Sequence, residues 1–343
     1  MRDTGTDDAR VRVRPNRRGS RPRTKVRPEY PNALGAMVLG VDRGRYHLLT
    51  DDGTGLVAVK ARELGRGERG AVVVGDHVGV VGDVSGRKDT LARIVRVDER
   101  SSVLRRSSED GDAAGAERVI VANADQLVVV VAAAEPEPRP RLVDRCLVAA
   151  YDAGMDPLIC VTKADLADPR EFLARYDALA VPAVVTAARV ERIERLHELR
   201  DRLADRTSVL VGHSGVGKST LVNALVPDAD RATGQVNAVT GRGRHTSSSA
   251  VALALPEGGW AIDTPGVRSF GLQHVDPEDL LAAFDDLAEI ATDCPRGCTH
   301  AQDAPDCALD QWVQSGAAGD AGAARLLSFR RLLASRQAAQ PGG

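Results

Sequence analysis

Aromatic residues and long apolar runs are scarce in this 343-residue chain. Aromatic side chains make up 3% of the residues, and the predicted N-terminal strands offer few groups that could stack on bases, which weakens the case for sequence-specific RNA binding. The longest purely apolar run, 127–134, covers eight residues and is too short for a membrane span, which needs roughly 20. The N-terminus is charged and unlike a signal peptide. We therefore expect a cytoplasmic protein without membrane contacts.

Cysteine is also sparse and odd in number, with five residues in the chain. Three of them crowd around His300, a pattern that is typical of metal ligation rather than of disulfide bridges. This usage fits a reducing compartment.

The near-neutral net charge of -2 hides a basic N-terminal end. Residues 1–30 carry ten Arg or Lys against four Asp or Glu, so this end is +6 and the remainder is -8. We predict a basic, disordered tail over residues 1–32. Two interpretations stay open, an arm that seeks RNA or another polyanion and a solvated tail that serves solubility.

Length and patterning predict a multidomain α/β protein, since 343 residues exceed one comfortable core. Residues 33–99 alternate short apolar stretches with turn signals, which predicts an OB-fold-like β-barrel of about five strands, although an SH3-like barrel has a similar count. Residues 100–117 are polar and predict a linker. Residues 118–275 alternate buried strands with helices, which favours a largely parallel sheet, and residues 276–343 predict a helical domain.

A phosphate-binding loop is the most specific motif of the chain. The segment GHSGVGKST follows a predicted strand, Ser208–Val211, and precedes a predicted helix, which is the setting of the GxxxxGKS motif. Its glycines let successive backbone N–H groups face the phosphates, Lys218 adds a compact positive charge, and the Ser219 hydroxyl would ligate Mg²⁺. The predicted nucleotide-binding residues of this loop are Gly212, His213, Ser214, Gly215, Val216, Gly217, Lys218, Ser219 and Thr220.

A second motif predicts that the bound base is guanine. The predicted strand Pro157–Val161 runs into Thr162, Lys163, Ala164 and Asp165, and an Asp carboxylate accepts two hydrogen bonds from guanine but none from adenine N1. Lys163 would lay its stem over the base. The segment resembles the NKxD signature of GTPases, with Thr162 in place of Asn. Because Thr lacks the paired donor and acceptor of an amide, the sequence leaves open whether it ties this loop to the phosphate loop.

Contacts to the metal and the γ-phosphate are predicted after a further strand. Asp263 to Gly266 read DTPG and match DxxG, in which Asp263 would hold Mg²⁺ through water and the Gly266 amide would meet the γ-phosphate. A glycine-rich polar segment before this strand is consistent with a switch loop whose Thr246 completes the metal shell, although Ser247 could serve instead. These motifs predict GTP or GDP and Mg²⁺ as ligands.

No glutamine stands where Ras-like GTPases orient the attacking water, because this chain has Val267 there. Valine cannot orient water, so we expect slow intrinsic hydrolysis that depends on another group. His245 is one candidate and a partner acting in trans is another, while a plain surface role for His245 stays open. The predicted catalytic set is Lys218, Thr246, Asp263, Gly266 and His245.

A metal-binding cluster lies near the C-terminal end of the sequence. Cys294, Cys298, His300 and Cys307 place four ligands within 14 residues of a loop rich in Pro, Gly and Asp. A Cys3His set is a closed tetrahedral zinc site without an open position. We therefore predict one structural Zn²⁺ ion.

The guanine motif precedes the phosphate loop, which inverts the usual order of GTPase motifs. This order, with a β-barrel in front and a CxH…C cluster behind, strongly resembles the RsgA/YjeQ family of GTPases that depend on the small ribosomal subunit, over residues 33–335. The family's GRHTT switch segment stands here at residues 243–247, with Ser247 for the second Thr. The family's usual zinc spacing, C-x4-C-x-H-x5-C, is shifted here by one residue without a change in total span.

This resemblance implies an OB-fold, a circularly permuted P-loop GTPase domain and a helical zinc-binding domain. It also implies a late assembly factor that docks on the 30S subunit and its 16S rRNA, promotes maturation, and leaves after subunit-stimulated GTP hydrolysis. We expect a monomer. Two alternatives are an RNA-binding module in which GTP only sets conformation, and an ATPase or kinase.

Overall fold

The computed structural model describes residues 30–65, 71–107, 117–189, 192–226, 250–264, 270, 272 and 275–337. The predicted basic tail lies outside the described residues except for its last three positions. Within the described part, one eleven-stranded sheet passes from a barrel into an α/β layer, and two hairpins stand apart from it.

The N-terminal part of the described chain is a closed five-stranded barrel. Its strands are β1 Leu34–Asp42, β2 Arg45–Thr50, β3 Gly55–Lys60, β4 His77–Gly82 and β5 Ala92–Val97. They follow the order β1-β2-β3-β5-β4, with β3 parallel to β5 and β4 returning to β1. Alternate residues such as Val38, Leu48 and Ile94 are fully buried inside. This closure is that of an OB-fold, and the predicted barrel is confirmed.

A hairpin follows the barrel. Strands β6 Val103–Ser107 and β7 Glu117–Ala122 pair antiparallel. The first of them falls within residues 100–117, the segment predicted as a linker. Leu104 is 1% exposed and packs into the core of the α/β layer, so one apolar side chain orders a stretch whose overall composition is polar.

A buried ion pair fixes the start of this hairpin to the barrel. The guanidinium of Arg100 meets both carboxylate oxygens of Asp76 at 2.7 and 2.8 Å, and the Asp76 side chain is fully buried. The same carboxylate accepts the Val73 N–H at 2.7 Å. Nearby, Val74 bridges Val121 of β7. The ion pair and this bridge thereby fix the hairpin against the barrel.

The α/β layer is built on parallel strands, as the continuous apolar runs predict. Strands β8 Gln126–Ala132, β9 Asp156–Thr162, β10 Ala183–Val185, β13 Thr207–Val211 and β15 Trp260–Asp263 are parallel in the order β10-β9-β8-β13-β15. Strand β14, Val251–Ala254, adds an antiparallel edge that meets β1 at Gly40. Strands β11 Ala187–Arg189 and β12 Arg192–Glu194 form the second hairpin.

Helices cover both faces of this sheet. In β8, Val129 and Val131 face the helix α1 Pro140–Asp152, whereas Val128 and Val130 face the opposite core. Helices α3 Leu196–Leu203 and α4 Lys218–Leu225 lie on that opposite face, and a short helix α2, Arg170–Ala174, follows β9. The sheet is therefore buried on both sides, as parallel sheets require.

The described C-terminal residues form four helices, of which the first and the last pack on α1. They are α5 Pro277–Ala282, α6 Asp285–Ala291, α7 Ala308–Gln314 and α8 Gly319–Gln337. Phe284 stacks edge-to-face on Tyr151 of α1 at 5.3 Å and on Phe329 of α8 at 6.1 Å. These helices thus share one continuous core with the sheet face that α1 covers. No helix in the described part of the chain has the length and hydropathy of a membrane span.

Candidate nucleotide and metal sites

The predicted phosphate loop connects β13 to α4 at the carboxyl edge of the parallel sheet. Two glycines are required by its geometry. Gly217 precedes α4 with φ +89°, which side-chain-bearing residues rarely adopt. A Cβ on Gly212 would lie 2.6 Å from the carbonyl oxygen of Val130, so only glycine lets the loop pass β8 this closely. The sequence prediction of strand, loop and helix agrees with the observed elements.

Lys218 and Asp263 meet beside this loop. Lys218 is the first residue of α4 and Asp263 the last of β15, and their Nζ and Oδ1 atoms form an ion pair. The side chains are 11% and 21% exposed, so the pair is largely shielded from water. The Thr264 hydroxyl donates to the Leu210 carbonyl at 2.7 Å, which fixes the end of β15 against β13. Ser219 follows Lys218 with an exposed side chain.

The predicted guanine motif reaches the same edge of the sheet from β9. Thr162 ends β9 and is 6% exposed. Its hydroxyl oxygen lies 2.5 Å from the Val216 carbonyl of the phosphate loop and 3.3 Å from the Val131 carbonyl. A single hydroxyl therefore joins the two loops. The open question about Thr in place of Asn is thus answered by geometry, since a donor is enough for this tie.

The rest of the guanine motif lies at the surface. Asp165 is exposed and Lys163 half-buried, with φ +54° at Lys163. The Lys163 ammonium contacts the Glu135 carbonyl in the segment after β8. This places the two side chains that the sequence assigns to the base at the rim of the site, next to the phosphate loop.

Two contacts of this site had no signal in the sequence motifs. Thr186, 2% exposed, follows β10 and its carbonyl accepts the Ala164 N–H at 3.2 Å, so it holds the guanine motif from the far side. Arg139, just before α1, places its Nη1 2.9 Å from Nε2 of His213 in the phosphate loop. A guanidinium only donates, so His213 Nε2 accepts and Nδ1 carries the proton toward the Ser214 carbonyl at 2.9 Å. Their positions, with Thr186 directly after a strand and Arg139 directly before a helix at this edge of the sheet, are the one sequence signal that could have identified these residues.

The four predicted metal ligands converge on one point. Their ligand atoms all lie within 4.8 Å of one another. Cys294 Sγ is 3.6 Å from His300 Nδ1 and 3.9 Å from Cys307 Sγ, and Cys307 Sγ is 3.9 Å from His300 Nδ1. Tetrahedral zinc with bonds of about 2.3 Å to sulfur and about 2.0 Å to nitrogen has edges of about 3.5–3.8 Å. The donor set and its spacing, including Cys298, therefore fit a zinc ion.

Helices brace this cluster. Cys307 immediately precedes α7, and the N–H of the following Ala308 points at Cys294 Sγ at 3.3 Å. Arg330 of α8 donates to the His300 carbonyl at 3.0 Å and to both oxygens of Asp310 at 2.7 and 2.8 Å. The ligand loop is thus fixed from outside by a bidentate ion pair, which is the arrangement of supporting contacts expected around a metal.

The remaining two cysteines are unlike these ligands. Cys146 in α1 and Cys160 in β9 are fully buried, and burial raises the pKa of each thiol to about 12. Both are therefore structural thiols that stay protonated and unreactive.

Comparison with known proteins places this arrangement in one family. The family model for the RsgA GTPase matches residues 97–273. A "Small ribosomal subunit biogenesis GTPase RsgA" of Ectopseudomonas mendocina is 35% identical over 312 residues, covering 81% of this chain and 88% of that protein. The protein of the same name from Gemmatimonas aurantiaca is 36% identical over 305 residues, covering 88% and 96%. The chain belongs to the RsgA GTPase family.

Solved structures agree with this assignment. YjeQ from Thermotoga maritima is 25% identical, with a TM-score of 0.60 over 88% of this chain and 98% of that one. YloQ, described as a circularly permuted GTPase, is 22% identical with a TM-score of 0.61 over 94% and 100%, and supports the fold. The predicted family, the three-part fold with a permuted GTPase domain, and the GTPase class of enzyme are confirmed. Membership implies GTP and GDP as ligands, with Mg²⁺ as the metal.

Three residues of the predicted catalytic set belong to parts of the chain that the structure does not describe. His245, Thr246 and Gly266 lie outside the described residues, as does Val267. Of the predicted catalytic set, the structure brings Lys218 and Asp263 together, beside the phosphate loop and the guanine motif.

Proposed function

We propose that this chain binds the small ribosomal subunit and acts in its late maturation, hydrolysing GTP to GDP and phosphate with stimulation by the subunit. The relatives named small ribosomal subunit biogenesis GTPase support the partner. The observation that carries the activity is the junction of the two loops, where Thr162 joins the guanine motif to the phosphate loop at Val216. In this proposal, base selection and phosphate binding belong to one connected site.

Guanine recognition is assigned to the exposed end of β9. In this proposal the Asp165 carboxylate accepts hydrogen bonds from guanine N1–H and the exocyclic amine, and the Lys163 stem covers the base. Thr162 and Thr186 hold the motif from its two sides, through Val216 and Ala164. The base would therefore meet groups whose positions are set before it arrives.

Phosphate binding is assigned to the loop from Gly212 to Thr220. Its backbone N–H groups and the Lys218 ammonium would surround the β- and γ-phosphates. In the structure, the Lys218 ammonium is paired with the Asp263 carboxylate. When a nucleotide binds, its phosphate oxygens would replace this carboxylate as the partner of Lys218. Asp263 and the Ser219 hydroxyl are then the residues that would hold Mg²⁺, which neutralises charge on the phosphates when bound.

Water activation is assigned to groups outside the core of the site. The side chain of Val267 offers no polar atom, so a partner on the ribosomal subunit or His245 would orient the attacking water. We propose that Thr246 and Gly266 complete the metal and γ-phosphate contacts, as their motifs predict. Slow turnover of the isolated chain and faster turnover on the subunit follow from this division of roles.

Turnover measurements test the proposal. GTP hydrolysis should be slow for the purified chain and should rise on addition of purified 30S subunits, with mature and immature particles measured separately. Lys218→Ala should abolish both rates and serves as the control for contaminating GTPases. If subunits bind but leave the rate unchanged, the chain is an RNA-binding module in which GTP only sets conformation.

Base selection has its own test. Asp165→Asn should make the chain prefer xanthosine triphosphate over GTP. Xanthine has a carbonyl oxygen where guanine has its exocyclic amine, and the Asn amide can donate to that oxygen. An unchanged preference would show that the TKAD segment does not read the base, and would reopen the assignment as an ATPase or kinase.

We also propose one structural zinc ion on Cys294, Cys298, His300 and Cys307. The near-tetrahedral spacing of the ligand atoms supports it. Mass spectrometry under native conditions should show one zinc per chain, and Cys294→Ser should lose it. A chain that folds fully without metal would overturn this proposal.

The remaining proposals concern organisation. We propose domains over residues 33–99, 118–275 and 276–343, joined by 100–117 and preceded by the basic tail. We further propose a cytoplasmic monomer that contacts 16S rRNA, because ribosomal subunits assemble in the cytoplasm. Limited proteolysis tests the boundaries, and sedimentation of the purified chain tests the monomer.

A further inference from the structure

A cleft lined by arginines runs from the phosphate loop to the C-terminal helix. It lies along the N-terminal end of α1, and its far side is formed by the residue after α2 and by α8. We call it the arginine cleft and define it by Arg139, Arg141, Arg145, Arg175 and Arg331.

The cleft concentrates positive charge in a chain that is close to neutral. Five guanidinium groups face one carboxylate, Asp144, so the local surplus is +4 (five minus one) against a net charge of -2 for the whole chain. Asp144 is 2% exposed and paired with Arg331, which leaves little negative charge at the surface of the cleft. Helix α1 adds to this field, because its positive N-terminal end opens here without an acidic residue in its first turn.

Two of the arginines, Arg145 and Arg331, are held in place by contacts within the protein. Arg145 donates to the Phe270 carbonyl at 3.0 Å. Arg331 donates to the Arg175 carbonyl at 3.1 Å, and its guanidinium lies 5.3 Å above the centre of the Tyr176 ring. Arg141 and Arg175 are exposed at the rim. A polyanion would meet Arg145 and Arg331 in positions that are already set, which lowers the entropy cost of binding, and Arg141 and Arg175 from the solvent side.

We infer that the arginine cleft binds the sugar-phosphate backbone of RNA, an inference that rests on the proposed function because the ribosomal subunit supplies the RNA. Guanidinium groups match phosphate oxygens in a planar, bidentate way. Their spread from the phosphate loop to α8 suits a chain of successive phosphates better than a single small anion. Aromatic residues that could stack on bases do not line the cleft among the described residues, so recognition here is by charge and shape.

The position of Arg139 connects this surface to the nucleotide. Arg139 lines the cleft and also hydrogen-bonds His213 of the phosphate loop. A phosphate that draws the Arg139 guanidinium into the cleft removes this contact from His213. RNA binding is thereby placed one side chain away from the loop that holds the nucleotide phosphates.

Variants at the exposed rim test the inference in the full-length chain. Arg141→Gln combined with Arg175→Gln should weaken binding to 30S subunits about 10- to 100-fold near 0.1 M salt and flatten the salt dependence of log K by about 1.4–1.8, since each lost phosphate contact contributes about 0.7–0.9. Intrinsic GTP turnover should not change. Arg202→Gln is the matched control, because Arg202 is exposed on α3, on the opposite face of the sheet.

Unchanged subunit affinity in the double variant, or a loss equal to that of Arg202→Gln, would overturn the inference. A loss of affinity with an unchanged salt slope would also overturn it, because phosphate contacts release counterions. A photo-crosslinker on Ala334→Cys, at the α8 wall, should label rRNA, and labelling of ribosomal protein alone would identify a protein partner instead.

The proposed function and the cleft can fail separately. If the wild-type chain does not bind subunits but binds isolated 16S rRNA with a salt slope that the double variant flattens, the cleft stands and the proposed function is wrong. If it binds subunits through a surface that neither variant affects, the function stands and the cleft is wrong. Binding to neither overturns both.

Discussion

Removal of the Thr162 hydroxyl should separate base recognition from phosphate binding. Thr162→Val keeps the shape of the side chain but deletes the donor that faces the Val216 carbonyl at 2.5 Å. The site is buried, with Thr162 6% exposed, so water cannot easily replace the lost donor. The Val216 carbonyl then stays unsatisfied in the one conformation that joins the guanine motif to the phosphate loop.

The expected magnitude follows from the cost of an unpaired buried acceptor, about 1–3 kcal/mol. If this cost destabilises the arrangement of the two loops that binds nucleotide, the affinity for GDP should drop about 5- to 150-fold, since each 1.4 kcal/mol corresponds to a factor of ten. Thr162→Asn introduces the residue that is usual in GTPases and should recover part of the loss only if the longer amide fits beside Gly217. The space there is limited, because a Cβ added to Gly217 would lie 3.6 Å from Thr162 Oγ1.

Equilibrium binding of a fluorescent GDP analogue measures the effect, with urea unfolding of the nucleotide-free chain recorded in parallel. Thr186→Val is the matched control, because it also deletes a buried hydroxyl, one that donates to the Val161 carbonyl at 3.0 Å and does not reach the phosphate loop. The control should lose stability with a smaller loss of GDP affinity. Equal losses of affinity in both variants would refute the reasoning, as would unchanged affinity in Thr162→Val.

Three further outcomes are expected. Arg100→Leu should lower the free energy of unfolding by about 3–5 kcal/mol in a urea titration, because it leaves the fully buried Asp76 carboxylate without its partner, whereas Asp76→Asn should cost less. Burial raises the pKa of the Asp144 carboxyl above its usual value of 3.8. Its stabilising contribution is therefore present below pH 3.8 and is lost as the pH rises through the pKa of the folded state. In unfolding titrations at several pH values, Asp144→Asn should gain stability relative to wild type as the pH rises. Cys298→Ser should lose zinc by native mass spectrometry while Cys160→Ser retains it, because only the first belongs to the ligand cluster.

Local patterns in the sequence predict those elements whose contacts are local. The phosphate loop was predictable because strand, glycines and helix follow one another within Ser208 to Leu225. Helix α1 was predictable from its apolar periodicity, which continues through Cys146 and Leu147. Residues 190–204 show the limit of this signal, since their pattern predicts a helix over the whole range. The observed helix α3 covers only Leu196–Leu203, and the preceding Arg192–Glu194 pair as a strand with β11.

Contacts between distant segments were not predictable. The Thr162 hydroxyl meets a carbonyl 54 residues away, and Arg139 meets His213 across 74 residues. Neither residue type is diagnostic of such a contact by itself. The polar composition of residues 100–107 likewise hid a strand, because its order comes from Leu104 packing against a core assembled from other segments. In each case a tertiary partner decides the role, and a single sequence does not name the partner.

Permutation changes where the chain goes after the nucleotide site, while the site itself is unaffected. The carboxyl ends of β9, β13 and β15 meet at one edge of the parallel sheet whatever their order in the chain, so the guanine motif can come first. Because the guanine motif comes earlier in the chain, the segment after Asp263 leads to the C-terminal helices. It is held on the way by Arg145 of α1, which donates to the Phe270 carbonyl at 3.0 Å, and by Arg336 of α8, which donates to the Val275 carbonyl at 2.6 Å. Phe270 and Val275 are 1% and 0% exposed, so both contacts hold buried points of the chain. Arg336 lies on the same helix as Arg330, which braces the cysteine cluster, so α8 contacts both the chain that follows the nucleotide site and the proposed zinc site.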